Sequence, residues 1–119
     1  MTQIYPLSEG TFTIGHDKKF IPFNEQIDVL EHRATGSLLV EIQPFLIDTG
    51  KDLIVLDTGL GFSNKAGELQ IHENLRKLGY EPEDVTKVLL SHLHKDHIGG
   101  ATHEDGHGKV YATFPHAQY

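Results

Sequence analysis

Three histidines and one aspartate fall within six consecutive positions, His92-x-His94-x-Asp96-His97, inside the stretch Ser91 to Gly100. Imidazole nitrogen and carboxylate oxygen are the donors that Zn²⁺ and Fe²⁺ accept, and the chain has no cysteine to compete with them. On a regular helix His94 would point roughly opposite to the other two histidines. The spacing suits a strand that ends and turns, so that alternating residues and the turn residue converge. Shuffling this composition gives the pattern in only about a few chains per thousand, so chance is a poor account of it. Gly99 and Gly100 follow, and residues without a Cβ let a chain turn tightly beneath a metal. The stretch reads as a metal site.

A second pattern, His103-Glu104-x-x-His107, satisfies the H-E-x-x-H expression, which needs a helix to bring both histidines to one face. Gly106 and Gly108 flank its second histidine, no apolar stripe surrounds it, and shuffling produces it in about one chain in twenty. It is read instead as a polar loop near the entrance of the real site. His16, His32, His72 and His116 are read as ordinary histidines.

The elements that must position the cluster come from apolar patterning. Ile4 to Leu7 and Thr11 to Ile14 read as short strands with Glu9-Gly10 as the turn between them. Phe20 to Thr35 is left mostly as coil. Leu38, Val40 and Ile42 alternate as a strand. Pro44 marks a bulge or edge, because it cannot donate a ladder hydrogen bond, and Phe45-Leu46-Ile47 continues. Asp48 to Lys51 turns the chain into Leu53 to Leu56, a returning strand expected to be buried on both faces. Glu68 to Leu78 is a helix with Ile71, Leu75 and Leu78 on one stripe, and Gly79 stops it. Glu81 to Asp84 makes a short helical turn, Val88 to Leu90 a strand delivering the histidines, Thr102 to Gly108 a polar loop, and Lys109 to Ala112 a last strand. A donor cluster past the C-terminal end of a strand is where α/β architectures place their sites.

Composition sets limits. At 119 residues the chain is one domain, and a net charge of −7 leaves it without a basic nucleic-acid footprint. It has no apolar run long enough to span a bilayer and no secretory n- and h-region, which predicts a cytoplasmic protein without a membrane partner.

The run Val88-Leu89-Leu90-Ser91-His92-x-His94-x-Asp96-His97-Ile98-Gly99-Gly100 resembles the signature of the metallo-β-lactamase superfamily. The preceding Phe45 to Gly50 and Ile54 to Gly59 resemble the hairpin before that signature, and Leu38 to Ala101 carries the likeness. The resemblance implies an α/β fold, the N-terminal half of a four-layer αββα sandwich, with residues 1–119 as a single partial domain. It implies His92 and His94 as ligands of a first metal and Asp96 and His97 as ligands of a second. Asp57, at a strand end, would be a carboxylate that orients a ligand histidine. The implied cofactor is two zinc ions, with iron or manganese as alternatives.

The family's later ligands, a third histidine, a bridging aspartate and a final histidine, have no counterpart after His97. The chain is therefore expected to be a fragment of a longer enzyme, with a split half or a self-associating half as the alternatives. A second half or another copy would cover its apolar sheet face. The implied activity is metal-dependent hydrolysis of a small-molecule ester, lactone, amide or similar bond. The rival expectations are a mononuclear iron oxygenase of the same superfamily and an inactive half-domain serving in binding or assembly.

Overall fold

A computed structural model describes residues 2–119. Among these residues nine short strands and two α-helices follow in the order β1 (Gln3–Pro6), β2 (Gly10–Ile14), β3 (Phe20–Pro22), β4 (Leu38–Ile42), β5 (Phe45–Asp48), β6 (Leu53–Leu56), α1 (Gln70–Lys77), β7 (Lys87–Leu89), α2 (Lys95–Ile98), β8 (Thr102–Glu104) and β9 (Val110–Ala112). One mixed sheet has the order β1-β5-β6-β7, with β6 and β7 parallel and the other pairs antiparallel. A second sheet has the order β3-β2-β4, and β8 pairs with β9 as a separate hairpin. The class is the α/β arrangement expected.

The sequence places Pro44 within one interrupted strand, but the chain changes sheets there. β4 pairs with β2, whereas β5 pairs with β1 and β6. Pro44 suits the crossing: it is buried, and its carbonyl accepts the Leu7 amide at 2.7 Å. Gln43 and Pro44 therefore join the second sheet to the one that carries the site.

The hairpin β5–β6 forms at the expected Asp48–Lys51 turn, where Asp48 Oδ1 accepts the Gly50 amide at 2.9 Å. β6 is not buried on both faces. Leu53 and Val55 are buried while Ile54 and Leu56 are only half-buried, the alternation of a sheet covered on one side. The register aligns Leu46, Val55 and Val88 across β5, β6 and β7, and these three join Ile71 and Leu75 of α1 in the main core. Burying each such side chain stabilises the fold by about 1.5–3 kcal/mol. The opposite parity carries Ile4, Ile47 and Ile54 in one row and Phe45, Leu56 and Leu89 in the next. These point away from α1. At the sheet edges that face is open: Ile4 is 63% and Leu89 53% exposed.

Helix α1 is shorter than the expected span from Glu68 to Leu78. Glu68 stays in a turn because its amide bonds to Asn64 Oδ1 and its carbonyl accepts the Asn64 amide. The apolar stripe is narrower as well, since Ile71 and Leu75 are buried but Leu78 is exposed. Gly79, at φ +89°, ends the helix as expected. Within Phe20 to Thr35 the structure adds β3 and one 3₁₀ turn at Leu30–His32. The Thr102–Gly108 segment is not a plain loop either, because its first three residues form β8 against β9. No helix is long and apolar enough to cross a membrane among the described residues.

Candidate functional site

β7 ends at Leu89, one residue before the apolar run does. The next residues run along the end of the mixed sheet, and Asp57, just past β6, meets them there. The Asp57 amide bonds to the Leu89 carbonyl at 2.8 Å. His92 and His94 lie in this extended crossing segment. Lys95 then starts the single turn α2, with His94 as its N-cap residue, so Asp96 and His97 are helical. The sequence expected a strand that turns; the turn is this short helix.

Asp57 organises the group. It holds a left-handed backbone at φ +63°, which Asn and Asp tolerate better than most residues. Its Oδ1 accepts the Ser91 amide at 2.7 Å, and its Oδ2 accepts the Ser91 hydroxyl at 2.7 Å and His97 Nδ1–H at 2.8 Å. Burial pushes this carboxyl up, but the Ser91 amide and hydroxyl and the His97 ring outweigh it and hold the carboxyl below its usual range. An ionised carboxylate only accepts, so His97 carries a proton on Nδ1, and in the neutral ring Nε2 is then the acceptor. Ser91 uses its one hydroxyl hydrogen on Asp57, so its oxygen accepts from His92 Nδ1 at 3.0 Å. That leaves His92 Nε2 as an acceptor too. One carboxylate thereby fixes the tautomer of two imidazoles, one directly and one through Ser91.

The rings gather. Centroids of His92 and His97 lie 3.9 Å apart, and those of His92 and His94 4.7 Å. His97 Nε2 faces Asp96 Oδ2 at 3.3 Å, two electron-rich atoms in contact unless a cation or a proton lies between them. The donors are of the right chemical kind for zinc. They do not close, however: among the described residues no three His, Cys, Asp or Glu side chains form a group that could hold a metal ion. His92, His94 and Asp57 thus share one surface with Asp96 and His97, in an open arrangement. A small cavity of about 40 Å³ beside it is lined by Asp57, Asp96, His97, Glu41 and the Ile42–Pro44 crossing. A wider hollow of about 680 Å³ opens between β2 and residues 22–28 and touches none of the cluster.

Glycines bring this group close to its support. A Cβ on Gly100 would stand 2.0 Å from the Thr58 carbonyl, and one on Gly99 2.3 Å from that of Leu60. The Thr58 amide bonds to the His97 carbonyl at 2.8 Å and the Gly100 amide to the Gly59 carbonyl at 3.1 Å. Gly99-Gly100 therefore pack against the loop of residues 58–61, rather than merely turning the chain.

His103 and His107 do not form a helical pair. His103 is in β8, its ring stacked on Tyr111 with centroids 5.7 Å apart and 6.0 Å from His72 of α1. This sets it beside α1 rather than at the mouth of the histidine cluster. His72 Nε2 is 2.8 Å from the Thr113 carbonyl.

Residues 41–112 match the family model for the metallo-beta-lactamase superfamily. The chain is 30% identical over 103 residues to the N-acyl homoserine lactonase AiiB of Agrobacterium fabrum, covering 70% of this chain and 37% of that protein. It is 31% identical over 98 residues to an N-acyl homoserine lactonase of Bacillus sp, covering 60% and 39%. Among solved structures it resembles AidC, a dizinc quorum-quenching lactonase, with TM-score 0.64 and 29% identity over 98% of this chain and 40% of that one. It also resembles the hydrolase AbOPH, with TM-score 0.65, 30% identity and the same coverage. The chain spans about two fifths of the length of the relatives it matches. A family match over more than half of the residues and the α1-backed mixed sheet ending at His92–His97 agree, and the chain belongs to the metallo-beta-lactamase superfamily.

Proposed function

We propose that this chain forms one half of a zinc-dependent hydrolase that opens a small-molecule ester or lactone, with N-acyl homoserine lactones as the leading substrate class. The observation that carries the reading is the Asp57–Ser91–His92–His97 network, which engages both Nδ1 atoms and leaves the two imidazole Nε2 atoms for a metal. His92 and His94 would hold a first metal and Asp96 and His97 a second, iron or manganese being the substitutes for zinc. When bound, the metal supplies Lewis-acid activation of water and of the scissile carbonyl. The chain's own residues hold the ligands: Asp57 keeps His97 and, through Ser91, His92 in the ligand tautomer, and Gly99-Gly100 seat α2 against the 58–61 loop.

Completion by a second half, or by another copy, agrees with the surface. The accessible area is 7704 Å², whereas a compact protein of 13.3 kDa exposes about 6,450 Å². The radius of gyration is 15.1 Å, against about 13.5 Å for a compact domain of this length. The face carrying Ile4, Ile47, Ile54, Phe45, Leu56 and Leu89, open at its edges, is the surface that such a partner would cover. The open donor set also favours an inactive role for the 119-residue chain by itself.

The test is a substrate screen on the full product of the gene, purified as isolated, stripped with chelator and reloaded with zinc. The zinc-loaded protein is expected to open an N-acyl homoserine lactone faster than it cleaves an aryl ester or a phosphotriester, with activity lost on chelation. Failure of the zinc-loaded protein on all three would contradict the reading. Oxygen-dependent turnover with iron would move it to the oxygenase alternative.

A further inference from the structure

Glu9 reads in the sequence as a turn residue between two strands, and nothing near it in the chain suggests more. In the structure its carboxyl reaches under the loop that follows β6. Oε1 accepts the Leu60 amide at 2.8 Å, across 51 positions of sequence. Oε2 is buried with no hydrogen-bond partner among the described residues. The loop is shaped around this carboxyl: Gly59 stands at φ +73°, and a Cβ there would lie 2.1 Å from Glu9 Oε1. The two residues before Leu60 hold the C-terminal end of α2, through the Thr58 amide on the His97 carbonyl and the Gly59 carbonyl under the Gly100 amide. The peptide whose N–H Glu9 holds is therefore the one whose carbonyl takes the Gly100 amide, at the C-terminal end of the turn that carries Asp96 and His97.

We infer that Glu9 is a positioning residue: its carboxyl fixes the Thr58–Leu60 segment that holds α2, and thereby sets the placement of Asp96 and His97. The ionisable side chains around it are Glu25 and Asp28, which line the same hollow between β2 and residues 22–28, and on neighbouring elements Glu41 on β4, taken up by the Ser8 hydroxyl, Asp57 at the head of the loop, and Asp96 and His97 on α2. None donates to Glu9 or pairs with it among the described residues. Burial accordingly raises its carboxyl from 4.5 to about 7, partly opposed by the Leu60 amide. A carboxyl whose folded value is raised favours the folded state fully below the unfolded value. That contribution is lost as pH rises through about 7, and the charged form is relieved when the segment opens to water. The bracing should loosen as pH rises from 4.5 toward about 7 and level off beyond it.

The role in the site rests on the proposed ligand assignment. The test reads backbone protection without metal, so failure here is distinguishable from failure there. Amide exchange of the 119-residue chain is followed by NMR for wild type, Glu9→Ala and Glu9→Gln. The alanine variant should speed exchange at Thr58, Leu60 and Gly100 by about tenfold or more, leaving Leu46 and Val55 within about threefold. The glutamine variant keeps an acceptor for the Leu60 amide and should restore protection. Between pH 6 and 8, with intrinsic rates removed, wild type should gain about tenfold in opening at these three amides, and Glu9→Gln should stay flat. A uniform rise over the whole sheet in Glu9→Ala, or the same pH profile in wild type and Glu9→Gln, would overturn the inference. If the alanine variant does not fold, the pH comparison decides alone.

Discussion

Gly100→Ala destabilises the chain by about 3 kcal/mol or more, whereas Gly106→Ala leaves its stability within about 0.5 kcal/mol. The first change puts a methyl group 2.0 Å from the Thr58 carbonyl oxygen, a backbone atom with no rotamer to retreat into. An ordinary contact needs well over 3 Å, so either α2 or the 58–61 loop must shift by more than an ångström. The shift breaks the bonds from Thr58 to His97 and from Gly100 to Gly59 that register one segment on the other. Gly106 has neither a positive φ nor any neighbour within 4 Å of a built Cβ, so it controls for the general effect of replacing glycine. Urea unfolding monitored by circular dichroism measures both. A loss below about 1 kcal/mol in Gly100→Ala would mean that the two segments are not packed backbone to backbone.

The second large effect is at Asp57. Asp57→Asn keeps a residue that accepts the left-handed backbone, but it replaces one oxygen by an NH₂ donor. Whichever way the amide is turned, a donor then faces either the Ser91 amide or His97 Nδ1–H. The ring relieves the conflict by moving its proton to Nε2, the atom a metal needs. His97 should therefore change from the Nδ1–H to the Nε2–H tautomer, visible in its imidazole ¹⁵N shifts. Zinc affinity should fall by about 10- to 100-fold. The stability loss in Asp57→Ala should stay at about 1–3 kcal/mol, because the exposed Ser91 groups can turn to water. An unchanged His97 tautomer in Asp57→Asn would sink the claim that this carboxylate sets the ring.

Much of the architecture was legible because it is written locally. The Asp48–Lys51 turn announces the β5–β6 hairpin, Ile71 and Leu75 at one-turn spacing with Gly79 behind them announce α1, and His92-x-His94-x-Asp96-His97 announces the cluster. What escaped depends on partners distant in sequence. Pro44 signals an interruption in a strand, but only the pairing of β4 with β2 shows that the chain leaves one sheet for another there. Leu53–Leu56 is uniformly apolar, and the pattern cannot say which face is covered. Glu68 looks like a helix residue until Asn64 captures its backbone. Glu9 acts on an amide 51 positions away, and the nearest sequence signal is only an acidic residue between two strands. The resemblance marked Asp57 as a carboxylate for some ligand histidine and the signature marked His97; that the two are bonded across 40 positions is a property of the fold.

The central claim is that His92, His94, Asp96 and His97 are the metal-binding residues of this chain and that they form an incomplete site on their own. Zinc titration of the 119-residue chain, followed residue by residue through histidine ¹⁵N resonances and by competition with a chromophoric chelator, tests both halves at once. The account predicts weak binding, with Kd about micromolar or higher, and shifts at Nε2 of His92 and His97 and on the ring of His94. His16, His32, His72, His103, His107 and His116 should stay unmoved. Shifts centred on His103 and His107, or tight binding of two ions without His92 and His97, would contradict it.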